Sequence, residues 1–158
     1  MRTILIALVV LTLCPLGLGI AAETDRSAES ASVLSAVNQF VDAFNKGDTK
    51  AMAAACADQT SIIDEFAPHE WHGAGACLKW INDYDMDAKK RKITDGLVTL
   101  GKVRHVDVDG DVAYVVVPTD YVYKMGGKPV KETNSTITVA LRKITSRWRI
   151  TAWAWAEN

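Results

Sequence analysis

Apolar residues along this chain change their spacing once, near position 93, and that change divides the predicted elements. Before it, Val33, Leu34, Val37, Phe40, Val41 and Phe44 recur at helical intervals, one apolar stripe of an amphipathic helix. Gly47 can take the left-handed conformation that ends this helix. Asp48 can cap a second helix over about 49–57, which turns Met52, Ala55 and Cys56 inward. A short strand is predicted near 61–65, stopped by Pro68. A third helix opens after Gly73-Ala74-Gly75, carries Cys77, Trp80, Ile81, Tyr84 and Ala88 on its apolar face, and ends near Lys90.

From Ile93 onward the period is two, and β-branched and aromatic residues dominate. Residues 97–108 read as one long strand bent at Gly101. Asp109-Gly110 reads as a hairpin turn, since both central positions of a type I′ turn need positive φ. Strands follow over 112–124, 131–143 and 147–155, with Gly126-Gly127 turning between the first two. Simple alternation sets Tyr121 and Tyr123 opposite Tyr114, and Trp153 and Trp155 opposite Trp148 and Ile150. One tryptophan set then lines the interior and the other faces solvent or a partner. Long bent strands coil, and the helical stripes must be buried against the concave side. The predicted fold class is α+β: three N-terminal helices on a strongly curved antiparallel sheet, a cone whose open end makes a pocket.

Met1-Arg2-Thr3, the apolar run Ile4 to Leu13 and the small residues before position 23 have the form of an export leader over 1–22. The run is broken by Pro15 and falls short of the ~20 apolar residues that a membrane anchor needs. A bulky Leu13 also argues against a lipid anchor at Cys14. The expectation is a secreted or periplasmic protein without membrane attachment after cleavage, a flexible mature N-terminus over 23–31, and one domain over 32–158. With 18 basic and 19 acidic residues the chain offers no field for nucleic acid or anionic lipid. The run Lys89 to Lys92 reads as a solvated helix end. In an oxidising compartment Cys56 and Cys77 tend to bridge, although sequence alone leaves a disulfide and two buried thiols equally open.

The corner Asn45-Lys46-Gly47-Asp48, the segment from Ile62 through Asp64-Glu65 to His72-Gly73, the strand Ala113-Tyr114-Val115-Val116-Val117-Pro118 and the terminal Trp148-Arg149-Ile150 together resemble the nuclear transport factor 2-like superfamily, and within it the SnoaL-like secreted proteins. The resemblance covers almost the whole mature chain. It implies a cone with a pocket, and often a homodimer formed through the outer sheet face. That superfamily includes ketosteroid isomerases, polyketide cyclases, dehydratases and assembly proteins, so fold does not select a function. Its isomerase-like enzymes use a carboxylate base facing a tyrosine and a protonated acid. No residue-by-residue correspondence carries those positions onto this chain.

The densest polar cluster is Asp64, Glu65, His69, Glu70 and His72, expected on a loop at the mouth of the cone. A buried carboxylate there would have its pKa raised and could act as a general base with a histidine moving protons, which makes Asp64, Glu65 and His72 the catalytic candidates. The alternative is a solvated loop whose acids cap backbone N–H groups. His69, His72 and a carboxylate could also be read as metal ligands, but a loop His-x-x-His lacks the helical spacing that aims both rings at one ion, and no metal is assigned. Asp120 and Glu132 are acids inside strands; an inward one beside a tyrosine would become an acid-base candidate, and an outward one would pair with a cation across strands. Trp71, Trp80, Tyr84, Tyr121 and Trp153 are the aromatic candidates for contact with a ligand. The leading expectation is a homodimeric cone that binds a small, largely apolar molecule. The alternatives are an isomerase-, cyclase- or dehydratase-like enzyme with no organic cofactor, and an interaction module working through its outer sheet.

Overall fold

The computed structural model describes the backbone of residues 18–158 and the side chains from Arg26 onward. Of the expected export leader, residues 1–17 lie outside this described part. No helix among the described residues is long and apolar enough to cross a membrane. The elements in chain order are α1 (Leu18–Asn45), α2 (Thr49–Ala55), β1 (Cys56–Ile63), β2 (Glu70–Ala74), α3 (Ala76–Arg91), β3 (Ile93–Leu100), β4 (His105–Asp109), β5 (Val112–Met125), β6 (Lys128–Ile144) and β7 (Arg147–Ala156). The fold is α+β, as expected.

The seven strands form one sheet in the order β2-β1-β7-β6-β5-β3, with β4 also pairing β5. All pairings are antiparallel except β1 with β7, so the sheet is mixed rather than purely antiparallel. That exception follows from the chain order: β2, α3 and four further strands separate β1 from β7, and a return over such a distance can enter the sheet in either sense. The helices cover the concave side, where Val33, Val37, Phe40, Trp80 and Ile81 meet Val115, Val117, Ile137, Val139, Ile150 and Trp153 in one core.

The corner between α1 and α2 follows its sequence. Gly47 has φ +65°, Asp48 accepts at Oδ1 from the N–H of Ala51 over 2.9 Å, and the Asn45 side chain brackets Val98 by bonding both its N–H and its carbonyl at 2.8 Å. Residues 23–31, expected as a flexible lead-in, continue α1. Glu29 ties that segment to the sheet by accepting from Lys143 Nζ at 2.7 Å and from the Trp148 indole at 3.1 Å. Cys56 and Cys77 are bridged, with their Cα atoms 6.4 Å apart, which links the start of β1 to the start of α3.

Four further differences from the sequence pattern have local causes. The segment after Pro68 is not all loop: Glu70–Ala74 forms β2, a hairpin partner of β1. The strand expected over 97–108 is two strands on β5: Leu100 pairs Thr119 and the Gly101 N–H donates to the Pro118 carbonyl at 2.8 Å, after which two extra residues interrupt the ladder before it resumes at His105↔Val116. The β4–β5 turn is Gly110-Asp111, one residue later than expected, with Asp109 paired to Val112. Finally, β7 carries a bulge at Thr151, where pairing passes from Ala140↔Ala152 to Leu141↔Ile150. One extra residue resets the two-residue period. Trp148 and Ile150 therefore share the concave side with Trp153, instead of lying opposite it, and all three are buried.

Candidate active site

Three layers of sequence converge on one hollow. From α1 come Phe40 and Phe44, one helical turn apart. From α3 come Trp80, Tyr84, Asp87 and Arg91 at the same kind of interval. From the sheet come Tyr121, Tyr123, Glu132, Trp153 and Trp155. The turn Asp64-Glu65-Phe66, directly after β1, completes the wall. This leaves about 70 Å³ in which the centre of a water molecule could sit, within about 700 Å³ of empty space once the open mouth is counted. The aromatic rings hold one another: Trp80 meets Trp153 edge-on at 4.8 Å and stacks on Tyr84 at 5.7 Å, while Tyr121 stacks on Tyr123 at 4.7 Å.

Asp64 is fixed in the hollow from two sides. Its Oδ1 accepts from the Glu65 backbone N–H at 2.7 Å and its Oδ2 from the Trp80 indole N–H at 2.8 Å. Burial pushes its pKa up to about 6, against the pull of those two donors. The hairpin that carries it is closed by Asp64 N–H to His69 carbonyl and His69 N–H to Phe66 carbonyl. A second indole, that of Trp71 on β2, donates to Asp83 of α3 at 2.8 Å. Together the two bonds clamp α3 to the β1–β2 hairpin.

Glu132 enters the hollow because β6 is bulged. Pairing with β5 slips between Thr119↔Ser135 and Tyr121↔Glu132, and Asn134 sits at φ +62° with its N–H held by Asp120 Oδ1 at 3.1 Å. Ahead of the slip the inward positions are even-numbered, so Glu132 points in with Tyr123. Asp120 points out, where it also meets Lys131 at 3.9 Å. Burial pushes Glu132 up, the Tyr123 hydroxyl pulls it down, and nearby Glu157 adds to the rise. Glu65 stands at the mouth, pushed up to about 7 by burial and then by repulsion from Glu132, Glu157 and Asp64. Carboxylate oxygens of Glu65, Glu132 and Glu157 all lie within 4.8 Å of one another, the group of potential ligating side chains that the fold gathers among the described residues.

Tyr84 and Tyr121 join their hydroxyls at 2.5 Å inside the same hollow. Burial raises both phenols, so both are neutral donors at ordinary pH. Tyr123 is pushed up to about 12, again chiefly by burial.

Of the sequence candidates, Asp64, Glu65, Trp80, Tyr84, Tyr121 and Trp153 come together around the hollow. His72 and Trp71 do not. His72 is exposed on β2, facing Ser61 Oγ at 3.3 Å and Glu70 at 3.3 Å, because alternation in β2 turns it away when Trp71 turns in. Trp71 is core, packed on Phe66 at 5.0 Å behind the lining. His69 faces the Asp64 carbonyl, apart from His72, so the two rings do not converge as metal ligands. Sequence reasoning missed Phe66, Trp155 and Glu157, and it named Glu132 only on a condition. The available signal for Glu132 was Asn134, a residue type suited to positive φ inside an otherwise regular strand.

A family model described as SnoaL-like domain matches residues 33–154. Among solved structures, the chain is similar to a hexachlorocyclohexane dehydrochlorinase LinA-type3 from Novosphingobium barchaimii, with 14% identity, 86% of this chain and 90% of that one covered, and a TM-score of 0.72. It is also similar to an NTF2-like protein with a cystatin-like fold from Novosphingobium aromaticivorans, at 17% identity, 90% coverage of both chains and a TM-score of 0.68. A ketosteroid isomerase-like protein from Erwinia carotovora atroseptica shares 18% identity over 82% of this chain and 95% of its own, with a TM-score of 0.65. No curated protein matches the sequence. At these identities the likeness to solved structures is one of fold.

Proposed function

The chain belongs to the SnoaL-like domain family, and from that premise we propose that its hollow binds a small, largely apolar molecule and exchanges a proton with it at Asp64. The observation that carries this reading is the position of the Asp64 carboxylate: among aromatic side chains, anchored by Trp80, and with a pKa pushed up to about 6. A general base works best when its pKa lies near the operating pH and its geometry is fixed beforehand. Each Asp64 oxygen has one lone pair engaged and one left for a substrate proton. In the neutral Tyr84–Tyr121 pair one hydroxyl donates to the other, which leaves one O–H to donate to an oxygen that gains charge as the proton leaves. Isomerisation needs no more than this, with Asp64 returning the proton it took to a second carbon; elimination needs in addition a leaving group on the substrate that departs as an anion, and no organic cofactor enters the scheme.

The dehydrochlorinase and the ketosteroid isomerase-like protein among the fold relatives are compatible with such chemistry. Native mass spectrometry of protein purified from its own host tests the binding. A retained small molecule should exchange hydrogen for deuterium in heavy water with wild-type protein and lose that exchange with Asp64→Asn. A hollow that retains nothing and exchanges nothing sinks the reading.

A second reading concerns assembly. The middle of the outer face of β5 to β7 presents Tyr114, Val116, Thr138, Ala140, Ala152 and Ala154, with the charges of Arg142, Arg149 and Asp120 at its two ends. That composition supports a homodimer through this face. Ala140→Glu should halve the mass seen by light scattering if the dimer exists, and an unchanged mass would end the idea. The leader-like N-terminus supports export to the periplasm or medium, which the N-terminal sequence of the protein recovered from its host would test.

A further inference from the structure

The lining of the hollow is unbalanced in charge. Glu65, Glu132 and Glu157 reach its mouth from three separate segments, and none of them forms an ion pair among the described residues. The cation of the lining, Arg91, is already engaged with Asp87 at 3.4 Å. Glu132 Oε2 is enclosed and has no hydrogen-bond partner. Beside these acids lie aromatic faces, the stacked Tyr121 and Tyr123 and the edge-on Trp155. Deeper in, Trp153 is 5% exposed, and its indole N–H has no acceptor.

Aromatic faces and unpaired carboxylates attract the same kind of group, a cation carried on an organic body. We propose that the ligand of this hollow carries a protonated amine, seated among Glu65, Glu132 and Glu157, with an apolar body against the aromatic walls. This rests on the reading of the hollow as a ligand site and names the ligand class for it. A bound ammonium donates to the three carboxylates and relieves their mutual repulsion, which the raised proton affinity of Glu65 registers. An oxygen on the body would satisfy the Trp153 N–H.

A hard metal cation fits less well. Calcium takes six to eight oxygen ligands and magnesium a near-ideal octahedron. Here the carboxylates border aromatic rings, which offer no oxygen and favour a weakly hydrated organic cation.

The test uses the full protein at about pH 8, where the acids are ionised and alkylamines are still charged. Intrinsic tryptophan fluorescence or calorimetry follows titration with 2-phenylethylamine, its neutral analogue 2-phenylethanol, the anion 3-phenylpropanoate, and calcium chloride. The amine should bind about tenfold more tightly than the alcohol, and the anion least of all. In Glu132→Gln and in Glu65→Gln that preference should fall at least about threefold, and salt at about 0.5 M should reduce it further. The inference is overturned if the alcohol binds as tightly as the amine, if the preference survives both substitutions, or if calcium binds in a one-to-one ratio and the amine does not displace it. Equal binding of amine and alcohol leaves the hollow and Asp64 standing as proposed. Failure of every organic probe to bind overturns both readings.

Discussion

Trp80 donates its indole N–H to Asp64 Oδ2 over 2.8 Å, so the carboxylate inside the hollow is held by the helix that walls it. Burial nonetheless raises its pKa from 3.8 to about 6. A carboxyl that binds its proton more tightly in the folded than in the unfolded state stabilises the protein fully below its unfolded pKa, and that stability is lost as pH rises through the folded value. Between about pH 4 and 6, stability should therefore fall, by on the order of 1–2 kcal/mol once partial solvent screening is allowed for. Asp64→Asn should flatten this stretch of the curve. Trp80→Phe removes a donor that favours the charged form and should move the fall to higher pH. Urea unfolding across that range checks both, and a flat wild-type curve contradicts the account.

Gly96 of β3 lies under Tyr121, and a Cβ built on it would sit 2.8 Å from the Tyr121 hydroxyl and 3.2 Å from the ring. Gly96→Ala should push that hydroxyl away from Tyr84 and destabilise the protein by about 1–2 kcal/mol. Tyr121→Phe removes the atom in closest conflict. The double variant should then cost less than the sum of the two single ones, a coupling that urea titration of all four proteins measures. Additive losses would mean that the strand shifts rather than the tyrosine.

Reading the chain from its residues succeeded where structure is set locally and failed where one residue changes a period. The stripe ending at Phe44, the Gly47-Asp48 corner and the Gly126-Gly127 turn follow from helical spacing and from backbone conformations that few residues tolerate. Asp64 was legible as a candidate because it falls in the densest polar cluster of the chain, on the segment expected at the mouth of the cone. Thr151 was not legible as a bulge, since it is an ordinary strand residue whose extra place shows only against its partner strand, and at the Thr133-Asn134 step the residue type of Asn134 was the one signal. Those two steps decide that Trp153 shares a side with Trp148 and that Glu132 faces in. Glu157 follows β7, where no periodicity points to its neighbours.

Reducing the Cys56–Cys77 bridge releases a loop with a sequence separation of 21 residues. Loop-closure entropy for a loop of that size corresponds to about 3 kcal/mol at room temperature. The reduced protein, or Cys56→Ala with Cys77→Ala, should unfold at correspondingly lower urea while its native mass rises by the two hydrogens of a dithiol in the reduced case. Alkylation of both thiols in protein taken directly from its host would show that the bridge does not form there.

The bulge in β6 gives the last prediction, because it takes up the extra residue between Ser135 and Glu132, both of which face in. Deleting Asn134 would let Ser135, Thr133 and Glu132 pair with Thr119, Asp120 and Tyr121 in simple alternation, so Glu132 should stay in the hollow. Deleting Thr133 as well would bring Glu132 opposite Asp120, on the outer face, and Lys131 opposite Tyr121. The loss of the Asp120 bond to the Asn134 N–H should cost about 1 kcal/mol in either variant. Only the double deletion takes from Glu65 its strongest like-charged neighbour, so there its pKa should drop from about 7 toward the ordinary glutamate range, while the single deletion leaves it in place. Carbon-detected NMR titration of the Glu65 carboxyl in both deletions and in Glu132→Gln checks this. A drop in the single deletion would mean that the strand shifts its register instead of closing the bulge.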